Sequence, residues 1–109
     1  MNSNKNKRDK REKQVELALV KAARKRGGIA LKFVSPAFDG VPDRLVLMPG
    51  GHMGFVEVKA PGQKPRPLQV SRHRLLMGLG FQVFTLNDIT AIPRMLDEIG
   101  GRHDNTPQG

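Results

Sequence analysis

Residues 40–62 read GVPDRLVLMPGGHMGFVEVKAPG, and this stretch decides the fold. Two apolar runs, RLVLMP and MGFVEVKA, flank Gly50-Gly51-His52, the pattern of a β-hairpin. Three charged residues break the pattern: Asp43 opens the first run, and Glu57 and Lys59 interrupt the second. Alternate strand residues share a face, so Glu57 and Lys59 point the same way, ~7 Å apart. A three-residue loop over Gly50–His52 would pair Pro49 with Met53 and set Asp43 opposite Lys59, diagonal to Glu57. A two-residue Gly-Gly loop would pair Asp43 with Val58 and scatter the three charges. Their convergence therefore requires an odd loop or a bulge.

Working outward, EKQVELALVKAARKRGG predicts a helix from Glu12, with Val15, Ala18, Leu19, Ala22 and Ala23 on one stripe and Gly27-Gly28 as its stop. Ile29–Val34 predicts a strand, and Pro67–Leu79 a second helix with Leu68, Leu75, Leu76 and Leu79 as its apolar set. FQVFTLN predicts a fourth strand. A last helix follows, capped by Asp88 or Thr90; Thr90 is preferred because Pro93 then falls in the first turn, where its missing N–H costs little. The order α-β-β-β-α-β-α describes an α/β fold, a mixed four-stranded sheet flanked by helices.

The 109 residues suffice for one small domain, expected over 12–100, with residues 1–11 as a disordered basic arm and 101–109 as a disordered tail. Nineteen Lys and Arg against ten Asp and Glu leave a net charge of +9, which favours a polyanionic partner, nucleic acid before an anionic membrane. No apolar run approaches a membrane span, and no segment has a secretory layout, so an intracellular, cytoplasmic location is expected. Cysteine is absent, which excludes disulfides and thiolate metal sites. His52, His73 and His103 are scattered and read as surface residues, with His73, beside Arg72 and Arg74, a candidate to face DNA.

Two carboxylates converging on one patch stay ionised only beside a cation, either Lys59 or a hard divalent ion. Mg²⁺ accepts a few carboxylate oxygens, keeps several waters and binds phosphate, so Asp followed by Glu-x-Lys on an adjacent strand is a minimal kit for phosphodiester hydrolysis. For any one of these residues a plain role is the commoner one: Asp43 ending a loop, or Glu57 and Lys59 as a solvated edge pair. The apolar neighbours Phe55, Val56 and Val58 argue for an inner strand, where unpaired charge is expensive.

VPD followed by EVK resembles the PD-(D/E)xK nuclease superfamily. The wider run LKFVSPAFDGVPDRLVLMPGG, FVEVKAPGQKPRPLQ and LGFQVFTLND is similar to its VRR-NUC family. The resemblance covers roughly Glu12 to Asp88 and implies a restriction-endonuclease-like core. It implies Asp43, Glu57 and the Val58 carbonyl as ligands of Mg²⁺ or Mn²⁺, Lys59 as the catalytic lysine, and Gln69 as the glutamine opening the following helix. An acid on the first helix would complete the site. Glu12 lies ~20° from the Leu19-centred stripe and Glu16 ~60° from it, at 100° per residue, so Glu12 is favoured and Glu16 is held as the alternative. Lys32 matches a family lysine near the phosphate, while Lys64, Arg66, Arg72 and Arg74 are the expected phosphate contacts. The resemblance further implies a standalone DNA endonuclease, acting on branched DNA such as four-way junctions or flaps, and able to pair as a homodimer. The competing readings are a DNA-binding module with a degraded site and an RNA-directed nuclease.

Overall fold

A computed structural model describes residues 3–100, with side chains from Asp9 onward; the expected tail, with His103, lies outside the described residues. The elements are helix α1 (Ser3–Lys25), strands β1 (Ile29–Lys32), β2 (Arg44–Met48) and β3 (His52–Val58), helix α2 (Pro67–Gly78), strand β4 (Val83–Leu86), a single 3₁₀ turn (Ile89–Ala91) and helix α3 (Ile92–Ile99). The sheet order is β1-β2-β3-β4. The β1–β2 and β2–β3 pairs are antiparallel and β3 runs parallel to β4, with α2 as the crossover. The mixed α/β architecture read from the sequence is the one observed.

One face of the sheet is built as expected. Val15, Leu19 and Ala23 of α1 are buried against Val46, Met48, Val56 and Val58, and α3 closes the layer with Ile92, Met95, Leu96 and Ile99. Gly54 sits in mid-strand because a Cβ there would lie 2.9 Å from Cγ1 of Ile99; only a glycine lets α3 approach so closely. On the opposite face, Phe55 stacks against Phe33 and Phe81 with ring centroids 5.5 and 5.7 Å apart.

Several boundaries differ from expectation. Helix α1 starts at Ser3, earlier than the Glu12 start expected from the apolar stripe. Strand β1 stops at Lys32. Asp88 caps the 3₁₀ turn, its carboxylate accepting hydrogen bonds from both the N–H and the hydroxyl of Thr90, and α3 itself starts after Ala91 with no side-chain cap, so neither Asp88 nor Thr90 caps the last helix. Pro93 still falls in the first turn of α3.

Helix α2 departs furthest. Its buried residues are Gln69 and His73, while Leu68, Leu75 and Leu79 are exposed. The leucines are not its core face. The helix turns a polar face to the sheet, for a reason that lies in the site.

The α1 stripe gives a direct stability contrast. Leu19→Ala empties a fully buried position and should cost about 2–5 kcal/mol in denaturant unfolding, whereas Leu17→Ala, on the exposed face of the same helix, should stay within about 0.5 kcal/mol.

Candidate active site

The hairpin register sets the site. Met48 pairs with His52, Leu47 with Met53 and Arg44 with Val56, so the odd loop is Pro49-Gly50-Gly51 and not Gly50–His52. Gly50 and Gly51 hold φ of 91° and 83°, the left-handed conformation such a turn demands and glycine adopts freely. The loop parity is as expected, but the register is displaced by two. Extended past Arg44, it brings Asp43 opposite Glu57 instead of Lys59, and the three charged residues still share one face.

Pro42 explains how Asp43 is held. In β3 the N–H groups of Phe55 and Lys59 donate to Gln82 and Leu86 on the β4 side, so the alternating residues Val56 and Val58 turn their backbone toward β2. The residue in register with Val58 is Pro42, buried and without an N–H to offer the Val58 carbonyl. The Val58 N–H goes to Oδ1 of Asp43 at 3.0 Å. Asp43 is thereby fixed by β3, with Oδ2 left over, beside a carbonyl that β2 cannot satisfy.

Glu57 is 3% exposed, and α2 grips it. Gln69 accepts the Arg66 N–H on Oε1 at 2.9 Å, satisfying a free donor at the helix start, and this orients its amide to donate Nε2–H to Oε2 of Glu57, also at 2.9 Å. Lys59 Nζ lies 3.6 Å from the same Oε2, and its side chain is largely buried. Oε1 of Glu57 faces Nε2 of His73 at 3.7 Å, and both atoms are buried without a hydrogen-bond partner. His73 is therefore a buried neighbour of the acidic residues and not a surface histidine. Sequence reasoning passed it over, although Gln69 and His73 stand four apart, the spacing that puts both on one helix face.

The electrostatics bind the acids together. Burial, and then the Asp43 charge, push the Glu57 carboxyl up to about 7, with Lys59 opposing. Burial raises Asp43 too, against the stabilising Val58 N–H. Glu12 is raised by burial and by Asp43, and it also senses Lys59, so α1 delivers this acid to the same field. Glu16 behaves differently. Burial would raise it, but Arg44 donates Nε and Nη2 to its Oε2 at 3.1 and 2.7 Å, and its carboxyl is held below the usual range. Arg44 also donates to the Ala30 carbonyl, so Glu16 belongs to a structural clasp between α1, β1 and β2. For His73, burial and the Lys59 charge lower the pKa.

Of the cationic residues, Lys32, Lys64, Arg66 and Arg74 are exposed. Arg72 is occupied within the protein: its guanidinium lies 3.9 Å above the Phe38 ring, and Nε donates to the Asp39 carbonyl at 2.7 Å. It clamps the loop that leads to Asp43 instead of standing free for a phosphate. No group of three or more His, Asp or Glu side chains converges to cage a cation among the described residues. The donors nevertheless suit a hard divalent ion. They are oxygen atoms, their carboxylates repel one another, and Oε1 of Glu57 is buried without a partner.

The Glu57 carboxyl predicts a pH signature. Between about 4.5 and 7 the folded protein keeps a proton that the unfolded chain has released, so this group's contribution is full below that window and is lost as pH rises through it. The melting temperature of the metal-free protein should fall across the window. Glu57→Gln should flatten that slope and melt several degrees higher at mildly alkaline pH; an unchanged slope would assign it to another group.

Comparison with known proteins agrees with this geometry. No family model matches the chain. It is 54% identical over 84 residues to "Putative nuclease p44" of Acyrthosiphon pisum secondary endosymbiont phage 1, covering 75% of this chain and 90% of that protein. A solved structure described as a VRR_NUC domain superposes with a TM-score of 0.74 at 27% identity, over 80% of this chain and 95% of the other. With the relative's identity and coverage, and the hairpin that carries Asp43, Glu57 and Lys59, the chain belongs to the VRR-NUC family of nucleases.

Proposed function

We propose that this nuclease is a Mg²⁺- or Mn²⁺-dependent endonuclease that hydrolyses DNA phosphodiesters, with branched DNA as its substrate. The observation that carries the reading is the meeting of Asp43, Glu57 and Lys59 at the open end of the β2–β3 hairpin, with Asp43 and Glu57 each anchored by a hydrogen bond. Asp43, Glu57 and the Val58 carbonyl would hold the ion, with Glu12 completing the acidic set and waters filling the remaining positions. When bound, such an ion polarises the scissile phosphate and acidifies water.

The protein's own groups supply the rest. Lys59 sits beside Glu57, able to orient the attacking water and to offset the charge that builds on phosphate oxygens as the water oxygen bonds to phosphorus, one P–O ester bond breaks and the leaving oxygen takes up a proton. Gln69 holds Glu57 in place while capping α2. The exposed Lys32, Lys64, Arg66 and Arg74 would track the phosphate backbone. With no Trp or Tyr, platforms for stacking single-strand bases are few, which favours recognition by backbone and shape.

Helix α2 also supports a homodimer. Leu68, Leu75 and Leu79, at i, i+7 and i+11, are 46%, 47% and 67% exposed on one side of the helix, and Phe81 follows at 42%. A second copy laid against this strip would bury it, and two sites on one particle suit a four-way junction, where both strands must be cut.

Cleavage of labelled junction, flap, duplex and single-stranded DNA and of RNA with Mn²⁺ tests the activity. Lys59→Ala should lower the rate about 10²–10³-fold, assayed at a temperature where the variant is shown to be folded. Equal cleavage by both proteins, or by neither, would leave a DNA-binding module instead, and preference for RNA would reassign the substrate. Sedimentation should give about twice the 12.1 kDa chain mass, and Leu75→Glu with Leu79→Glu should return it to one; a monomeric wild type would remove the dimer.

A further inference from the structure

Helix α2 buries two polar residues and exposes its leucines, so something other than apolar packing decides which face meets the sheet. Both buried residues address one carboxylate. Gln69 is bonded to Oε2 of Glu57 at 2.9 Å, and His73, one helical turn later, presents Nε2 to Oε1 at 3.7 Å. Nε2 of His73 and Oε1 of Glu57 are the two side-chain atoms that are buried and unpartnered among the described residues, and they face each other. A buried donor or acceptor with no partner bears its full desolvation cost, so the pairing of these two removes both costs with a closure of under ~1 Å.

We propose that His73 is a positioning residue for Glu57, its neutral ring donating Nε2–H to Oε1. A neutral imidazole carries one N–H, and beside the ionised Glu57 carboxylate only this tautomer fits. With the proton on Nδ1, the lone pair of Nε2 would face the carboxylate oxygen and both would stay unsatisfied. In the Nε2–H form, α2 holds Glu57 at both oxygens, Gln69 on one and His73 on the other. Each oxygen keeps a further lone pair, so the carboxylate is fixed in orientation and still able to bind a cation. Partners of this kind around a metal-binding carboxylate typically change metal affinity 10–100-fold. This consequence for metal binding rests on the metal-dependent reading above; the hydrogen bond itself does not.

Two measurements test the proposal, and they fail independently. Long-range ¹H–¹⁵N correlation on the metal-free protein, at mildly alkaline pH where Glu57 is ionised and the ring is neutral, should show His73 in the Nε2–H tautomer, and Glu57→Ala should abolish that preference. An Nδ1–H tautomer in the wild type, or no change in Glu57→Ala, overturns the proposal. Mn²⁺ titration followed by thermal shift should give a half-saturating concentration 10–100-fold higher for His73→Leu than for the wild type. His73→Gln, which keeps an N–H donor of similar reach, should stay near the wild-type value. A His73→Leu protein that binds Mn²⁺ like the wild type, or a His73→Gln protein as weak as His73→Leu, contradicts the positioning role. If His73→Leu does not fold, the His73→Gln titration and the tautomer decide. If the wild type itself binds no Mn²⁺, the metal-dependent reading falls and the tautomer alone decides the role of His73.

Discussion

Pro42 cannot donate a hydrogen bond, and much of the site follows from that. Were another residue in its place, β2 could run on and satisfy the Val58 backbone at both ends. With proline there, the ladder stops at Arg44, the Val58 N–H is taken by the Asp43 carboxylate, and the Val58 carbonyl keeps no partner on that side. The missing N–H leaves the Val58 carbonyl free, and the Asp43 carboxylate takes the Val58 N–H, so the end of the hairpin holds an anchored acid beside a free backbone acceptor. The Pro-Asp pair is an arrangement of hydrogen bonds before it is a motif.

The remainder of the fold keeps this strand end rigid. The layer of α1 and α3 buries Val46, Val56 and Val58, locking the hairpin register from one side. Arg44, next to Asp43, is tied to Glu16 and to Ala30, so the start of β2 is pinned to α1 and β1. Arg72 stacks on Phe38 and holds the Asp39 carbonyl, steadying the loop that enters at Pro42. From the other side, α2 gives its inward face to Glu57. The cost is exposed leucine, and the benefit is a buried carboxylate whose orientation is set by hydrogen bonds.

How much of this the sequence discloses depends on the range of each interaction. The α1 stripe, the hairpin, the Pro67 start of α2 and the Glu57–Lys59 face follow from periodicities within a few residues, and the structure has them. The loop's odd parity was also accessible, because only odd loops bring the charges to one face. Its placement was not, since Pro49-Gly50-Gly51 and Gly50-Gly51-His52 satisfy the same parity. Helix α2 misled because four leucines suggest a core face, and nothing local says that a buried Glu57 competes for the opposite side. Helical geometry favours Glu12 over Glu16 but says nothing of what Glu16 does instead, because its partner Arg44 lies far along the chain. Arg72 read as one more surface cation because its partners, Phe38 and Asp39, are equally remote in sequence.

The central claim is that Asp43 and Glu57, with the Val58 carbonyl, form one divalent-cation site beside Lys59. Crystals grown with Mn²⁺ and measured at its absorption edge test it most directly. The account predicts an anomalous peak coordinated by Asp43, Glu57 and the Val58 carbonyl, and loss of that peak in Asp43→Asn. A peak elsewhere on the protein, or none in crystals of a protein that cleaves DNA with Mn²⁺, would contradict it.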